Sequence, residues 1–146
     1  MGDGRTAVHI ASSQGNLAVL RVLLQNGGDA QQVDKEGETA LHKACQKCHY
    51  NTVHELIQFI HGFIGNSSAF VNKCNRKGET ALHYICMVNK NLLHYPDEDK
   101  QVVTLLLDSG VDVTLQTEQT KAGFDVNWYY VVRRNLIGRQ KSVSAN

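Results

Sequence analysis

Gly78-Glu79-Thr80-Ala81-Leu82-His83 has a twin at Gly37-Glu38-Thr39-Ala40-Leu41-His42 and a looser copy at Gly4-Arg5-Thr6-Ala7-Val8-His9. Three copies of one hexad mark a repeated structural unit, and its period has to be fixed before any residue is read alone. The hexad threonines fall at 6, 39 and 80, so the intervals are 33 and 41 residues. The first interval suits one turn and two helices. The second requires an insertion.

Outward from each hexad the same pattern recurs. Threonine is a natural helix N-cap, so Thr6, Thr39 and Thr80 each start a short apolar helix. In the first unit Gln14-Gly15-Asn16 ends that helix and a second one runs from about Leu17 to Gln25. Leu20, Leu23 and Leu24 sit at i, i+3 and i+4, a single buried stripe. Val53, Leu56, Ile57 and Ile60 repeat the stripe in the second unit, and Val103, Leu106 and Leu107 in the third. Leu23, Leu56 and Leu106 are expected at matching depths in adjacent layers. Asn26-Gly27-Gly28 and Asp108-Ser109-Gly110 are helix stops. Asp34-Lys35-Glu36-Gly37 and Asn75-Arg76-Lys77-Gly78 are tight turns of type I preference.

The extra residues have definite places. Eight lie near positions 61–68, where the second helix is lengthened or followed by a longer loop. A further excess lies between the helices of the third unit, around Lys90 to Glu98, and Pro96 ahead of three acidic residues reads as a helix start. The units predicted are therefore about 2–33, 34–74 and 75–117. Beyond them, 118–146 is a divergent tail carrying Arg133, Arg134, Arg139 and Lys141, read as disordered sequence or as a capping helix.

Composition narrows the function. Apolar residues make up 42% of the chain, enough to bury a core. A net charge of +1 gives no bulk electrostatic case for nucleic acid. No apolar run approaches the roughly 18 residues of a membrane span. The start of the chain lacks the basic-then-apolar pattern of an export signal, so a cytoplasmic location with reduced cysteines is expected.

Gly-x-Thr-Ala-Leu-His followed by Ala44, a paired-aliphatic helix and a Gly-x-Asp-Val-type segment resembles the ankyrin repeat over roughly residues 2–117. The resemblance implies an all-α solenoid of stacked helix-turn-helix units with β-hairpin fingers between them. It implies binding of protein partners through the fingers and the groove beside the first helices, with no catalysis and no cofactor. On this chain the finger positions are Lys35, Glu36, Glu38, Arg76, Lys77 and Glu79, read as exposed and mixed in sign. It also implies that the hexad histidine bonds locally and supports the neighbouring turn. A narrower resemblance joins Glu79 to Tyr84, the insertion from Asn91 to Asp99, and Asp112 to Lys121 to a late part of the cytoplasmic ankyrin array of NOMPC-type (TRPN) mechanotransduction channels. That implies a tether or spring with a cytoskeletal attachment and neighbouring repeats beyond this chain. The alternative is a small soluble scaffold or adaptor. Three units are near the minimum for independent stability, so either further repeats or the tail are expected to cover an end.

Other constellations have plainer readings. Cys45-Gln46-Lys47-Cys48-His49 has the spacing of c-type haem attachment, but it falls at the inter-helix turn of the repeat, where Ser12 and Gly15 stand one unit earlier. His42, Cys45, Cys48 and His49 offer a zinc-like donor set, but His42 already belongs to the hexad. Cys45 and Cys86 are candidate nucleophiles with no orienting partner, and buried thiols are the simpler reading.

Overall fold

A computed structural model of the chain describes residues 2–88 and 97–111. Helices α1 (Ala7–Gln14), α2 (Leu17–Gln25), α3 (Ala40–Gln46), α4 (Tyr50–Ile64), α5 (Ser68–Val71), α6 (Ala81–Val88) and α7 (Asp97–Asp108) follow one another along the chain. The first helices form one layer, α1 against α3 and α3 against α6. The second helices form the other, α2 against α4 and α4 against α7. Each hexad therefore opens the first helix of a two-helix step, and the steps stack.

The hexad builds its own helix start. In α1 the Thr6 hydroxyl accepts the His9 amide while His9 Nδ1 accepts the Thr6 amide at 3.1 Å. The same reciprocal cap forms between Thr39 and His42, at 3.0 Å for the Thr39 amide. Thr80 and His83 repeat it, also at 3.0 Å. Imidazole thus does the work that Glu or Gln does in the usual capping box. Because Nδ1 accepts, the proton sits on Nε2, which donates onward. His9 Nε2 donates to the Glu38 carbonyl at 2.9 Å and His42 Nε2 to the Glu79 carbonyl at 2.9 Å. His9 and His42 each cap their own helix and tie it to the finger of the next unit.

The fingers are hydrogen-bonded turns, and no strand forms among the described residues. The Gly37 amide closes on the Asp34 carbonyl at 3.0 Å, and Asp34 Oδ1 accepts the Glu36 and Glu38 amides at 2.9 Å each. Asn75 reproduces this with the Lys77 and Glu79 amides. Adjacent fingers are joined by single backbone bonds, Lys35 N–H to Asp3 and Arg76 N–H to Glu36, both 2.9 Å. Gly37 is required there. Its φ is 76°, and a Cβ would stand 3.0 Å from the Arg76 nitrogen. Within each finger two backbone bonds close the turn, Gly37 to Asp34 with Asp34 to Glu38, and Gly78 to Asn75 with Asn75 to Glu79, and one bond links each finger to the next.

The core follows the predicted stripe with one correction. Leu20, Val53 and Val103 are buried at equivalent depth, as are Leu56 and Leu106. Leu23 is only half-buried, because α2 has no described unit on the side that α2 itself covers for α4. Leu107, at the other end, is half-buried in the same way. The insertion near 61–68 lengthens α4 to fifteen residues and adds the short α5 after it. Val71 of α5 is buried where Ala30 stands in the first unit. Asn72 reaches the Gly110 carbonyl at 3.0 Å, which fastens the insertion to the end of α7. Helix α7 starts at Asp97, next to the position read from Pro96. The residues at 90–96 of the other insertion and the tail at 118–146 lie outside the described residues.

Candidate functional site: the finger row and the network beneath it

The six finger positions do not share one environment. Lys35, Glu36, Arg76 and Lys77 are exposed at the tips of the second and third fingers. Glu38 is half-buried, and Glu79, read from sequence as exposed, is only 4% exposed. The turn geometry explains this. Glu38 and Glu79 directly precede the capping threonines, where the chain has already turned back toward the first helices.

Beneath the tips lies a polar network that the sequence reading missed. Lys43, one residue after the hexad of unit two, is 5% exposed. Its ammonium bonds Glu38 Oε2 and lies 3.2 Å from Asp34 Oδ2. Glu38 Oε1 accepts the Tyr84 hydroxyl at 2.6 Å. Asn75 Nδ2 donates to that hydroxyl at 2.8 Å and to Glu79 Oε1 at 3.0 Å. The Tyr84 ring meets His42 edge-on, with centroids 5.2 Å apart. One connected set of side chains thus runs from the second finger through α3 and α6 into the third finger.

The charges respond accordingly. Burial disfavours the Asp34 carboxylate, but the Glu38 amide and the Lys43 ammonium outweigh it and hold the group below the usual range. For Glu38, burial is likewise outweighed by the bonds from Lys43 and Tyr84. Burial lowers His42, against the opposing pull of the Glu79 carbonyl. Burial and the Glu38 carboxylate push the Tyr84 phenol far up. The signal available in sequence was the pairing of position 43 with Asp34 and Glu38, which only folding brings within reach.

The consequence is a separation of charge. The acids Asp34, Glu38 and Glu79 are drawn inward, whereas Lys35, Arg76 and Lys77 face solvent with Glu36. None of these three cations is taken up in an ion pair among the described residues. The row read as mixed in sign presents a basic edge.

The cysteine motif is divided between core and turn. Cys45 is fully buried, and Cys48 is half-buried with its thiol 3.6 Å from the Cys45 carbonyl. His49 leaves them both. Its ring packs on Gly15, and its Nε2 bonds the Ser13 carbonyl at 3.1 Å. Among the described residues no three His, Cys, Asp or Glu side chains gather into a metal-holding group. No helix there is long and apolar enough to cross a membrane.

A model of ankyrin repeats in three copies matches residues 9–117. The chain belongs to the ankyrin-repeat family. It is 32% identical over 85 residues to the tyrosine-protein kinase HTK16 of Hydra vulgaris, which covers 58% of this chain and 10% of that protein. It is 27% identical over 113 residues to the target of rapamycin complex 2 subunit AVO2 of Saccharomyces cerevisiae, covering 76% of this chain and 23% of that one. It is 28% identical over 90 residues to the NF-kappa-B inhibitor cactus of Drosophila melanogaster, covering 61% and 17%. The ankyrin chain therefore spans less than a quarter of the length of these relatives. The crystal structure of an ankyrin repeat domain from Acinetobacter baumannii superposes with a TM-score of 0.68 at 26% identity, over 90% of this chain and 64% of that one. Ankyrin arrays are protein-interaction modules.

Proposed function

We propose that this ankyrin array, with units at about 2–33, 34–74 and 75–117, is a non-catalytic scaffold. Its partner would be an acidic segment of another protein, held on the tips of the second and third fingers. The contact residues are Lys35, Glu36, Arg76 and Lys77. Glu38 and Glu79 act from below, fixing the fingers. The observation that supports this reading is the charge separation. Asp34, Glu38 and Glu79 are turned inward, and Lys35, Arg76 and Lys77 are left to solvent with Glu36 as the one acid among them. Exposed ε-ammonium and guanidinium groups on two adjacent rigid turns suit carboxylates spaced along an extended chain. A Glu/Asp-rich peptide should bind with an affinity that falls as salt rises. Replacing Arg76 and Lys77 together by Glu should weaken it at least about tenfold. Equal affinity in the double variant would refute the assignment.

A second reading rests on the resemblance of Glu79 to Tyr84 and of Asp112 to Lys121 to channel-associated arrays. In that reading the chain is one stretch of a cytoplasmic tether for a mechanosensory channel. Compliance would come from small rotations at each one-bond finger step, with the cytoskeleton at one end. Full-length cDNA across position 121 distinguishes the two, since a tether runs on into further repeats and apolar spans.

A further inference from the structure

Two cysteines of the sequence have no part in the finger row. Cys45 lies in the last turn of α3 and Cys48 in the turn before α4. The Cys48 amide donates to the Cys45 carbonyl at 3.1 Å, which makes the two residues the ends of a hydrogen-bonded turn. Residues so related have Cα atoms within about 7 Å, inside the span a disulfide bridges. Cys48 also has φ 56°, the left-handed conformation that Gly15 adopts one unit earlier. That conformation folds its side chain back over α3, which leaves Sγ 3.6 Å from the Cys45 carbonyl oxygen.

Access differs between the two. Cys45 has no exposed surface. Cys48 lines an open cavity of about 460 Å³ together with Gly15, His49, Tyr50 and Gln101. A small oxidant therefore has an approach to Cys48 and none to Cys45. We propose that Cys45 and Cys48 form a reversible, peroxide-responsive disulfide across the α3–α4 turn, with Cys48 as the thiol that peroxide oxidises and Cys45 as the resolving one.

The steps balance. The Cys48 sulfur attacks one oxygen of hydrogen peroxide, the O–O bond breaks, and Cys48 sulfenic acid and one water result. The Cys45 sulfur then attacks the Cys48 sulfur. The S–S bond forms, the S–O bond breaks, and the hydroxyl leaves with the Cys45 proton as a second water. Burial, with the neighbouring Cys48, pushes the Cys45 thiol well up, which slows this second step. The short tether offsets that by keeping the two residues at the ends of one turn. Thiol reductants reverse the bond. The bridge would pin the turn whose next residue, His49, packs on Gly15 of the first unit. It therefore acts on the joint between units one and two.

The full chain is treated with hydrogen peroxide, alkylated and digested with trypsin. The tryptic peptides Ala44–Lys47 and Cys48–Lys73 should be recovered joined, with the loss of two hydrogens, and should separate on reduction. Cys48 recovered unmodified, as sulfinic acid, or joined to Cys74 or Cys86 overturns the proposal. A Cys45→Ser variant carries the residue that Ser12 supplies in the first unit. In it Cys48 should pass on to sulfinic acid, a gain of two oxygens. If Cys48 in that variant stays as well protected as in the parent, Cys45 is not its resolving partner.

Discussion

Units one and two of this ankyrin array share a gapless 33-residue register, yet they place corresponding side chains differently. Ile10 and Lys43 both follow the hexad histidine. The isoleucine is 49% exposed and the lysine 5%. Leu23 and Leu56 occupy the same stripe, and only Leu56 is sealed. Gly15 and Cys48 adopt the same left-handed backbone, which strains only the cysteine. The teaching is that a repeat position has no burial of its own. Its surroundings come from the unit on each side. Unit two has Tyr84 and the third finger after it and α2 before it. Unit one has a partner on one side only among the described residues, and Arg5 stands where Glu38 and Glu79 stand later.

The largest test of this contrast is removal of Lys43. Lys43→Ala leaves Asp34 with its amide bonds and Glu38 with the Tyr84 hydroxyl but both without their cation, a loss of up to about 3–5 kcal/mol. Ile10→Ala should cost less than about 1 kcal/mol, since half its surface is already wet. Urea denaturation of the two variants measures the difference, and comparable losses would break the comparison. The network also sets an acid limb. Asp34 and Glu38 are held below their unfolded values, so their contribution is complete above the ordinary carboxylate range and disappears as pH falls through the folded values, below about pH 4. His42 acts higher. Burial lowers it, so the unfolded chain takes up the proton first and stability begins to fall below about pH 6.5. His42→Gln, which can still cap, should flatten that upper part and leave the lower one.

Leu56→Ala comes next, at about 2–5 kcal/mol for a fully buried leucine. Leu23→Ala should cost well under half of that. If full-length protein from a longer transcript made the two equal, a preceding unit would be covering Leu23.

Gly15→Ala and Cys48→Gly probe one backbone position in two units. Alanine at 15 would carry a left-handed backbone and a Cβ 2.7 Å from the His49 ring, a loss of about 2 kcal/mol. Glycine at 48 relieves strain but frees the unfolded chain, and the net change should stay under about 1 kcal/mol. Thermal melts of both variants decide whether the turn of unit two tolerates what the turn of unit one requires.

These contrasts also separate what sequence reasoning reached from what it could not. The helix starts followed from Thr6, Thr39 and Thr80, because a cap is a local event within four residues. The stripe from Val53 to Ile60 followed from periodicity alone. The burial of Glu79 did not, because it depends on Asn75 bonding its carboxylate while Tyr84 of α6 holds the same amide. Lys43 escaped notice for the same reason. A lysine on a short helix reads as solvated until the finger acids are folded onto it. The length of α4 was open between a longer helix and a longer loop, and the chain uses both, a fifteen-residue helix and then α5. The fingers were expected as hairpins by family likeness. Each described finger is a tight turn closed by two backbone bonds over five residues, with no strand on either side of it.

The smallest expected effect is at the outer layer, where units one and two meet through Arg21 and Glu55. Their side chains are 3.2 Å apart, but the arginine is about half exposed. Water competes for both groups, and holding two long side chains in one arrangement has an entropic cost. A pair of this kind contributes about 0–1 kcal/mol. Arg21→Ala should therefore shift the urea midpoint far less than Lys43→Ala, although each variant loses a single cation that contacts carboxylate. The residual effect should vanish in high salt, where the Debye length shrinks to about 3 Å at 1 M. The Lys43 loss should persist there, because burial shields that network from mobile ions. A loss at Arg21 that survived high salt would mean the outer layer is as dry as the finger side, and the contrast between the two faces of the solenoid would fail.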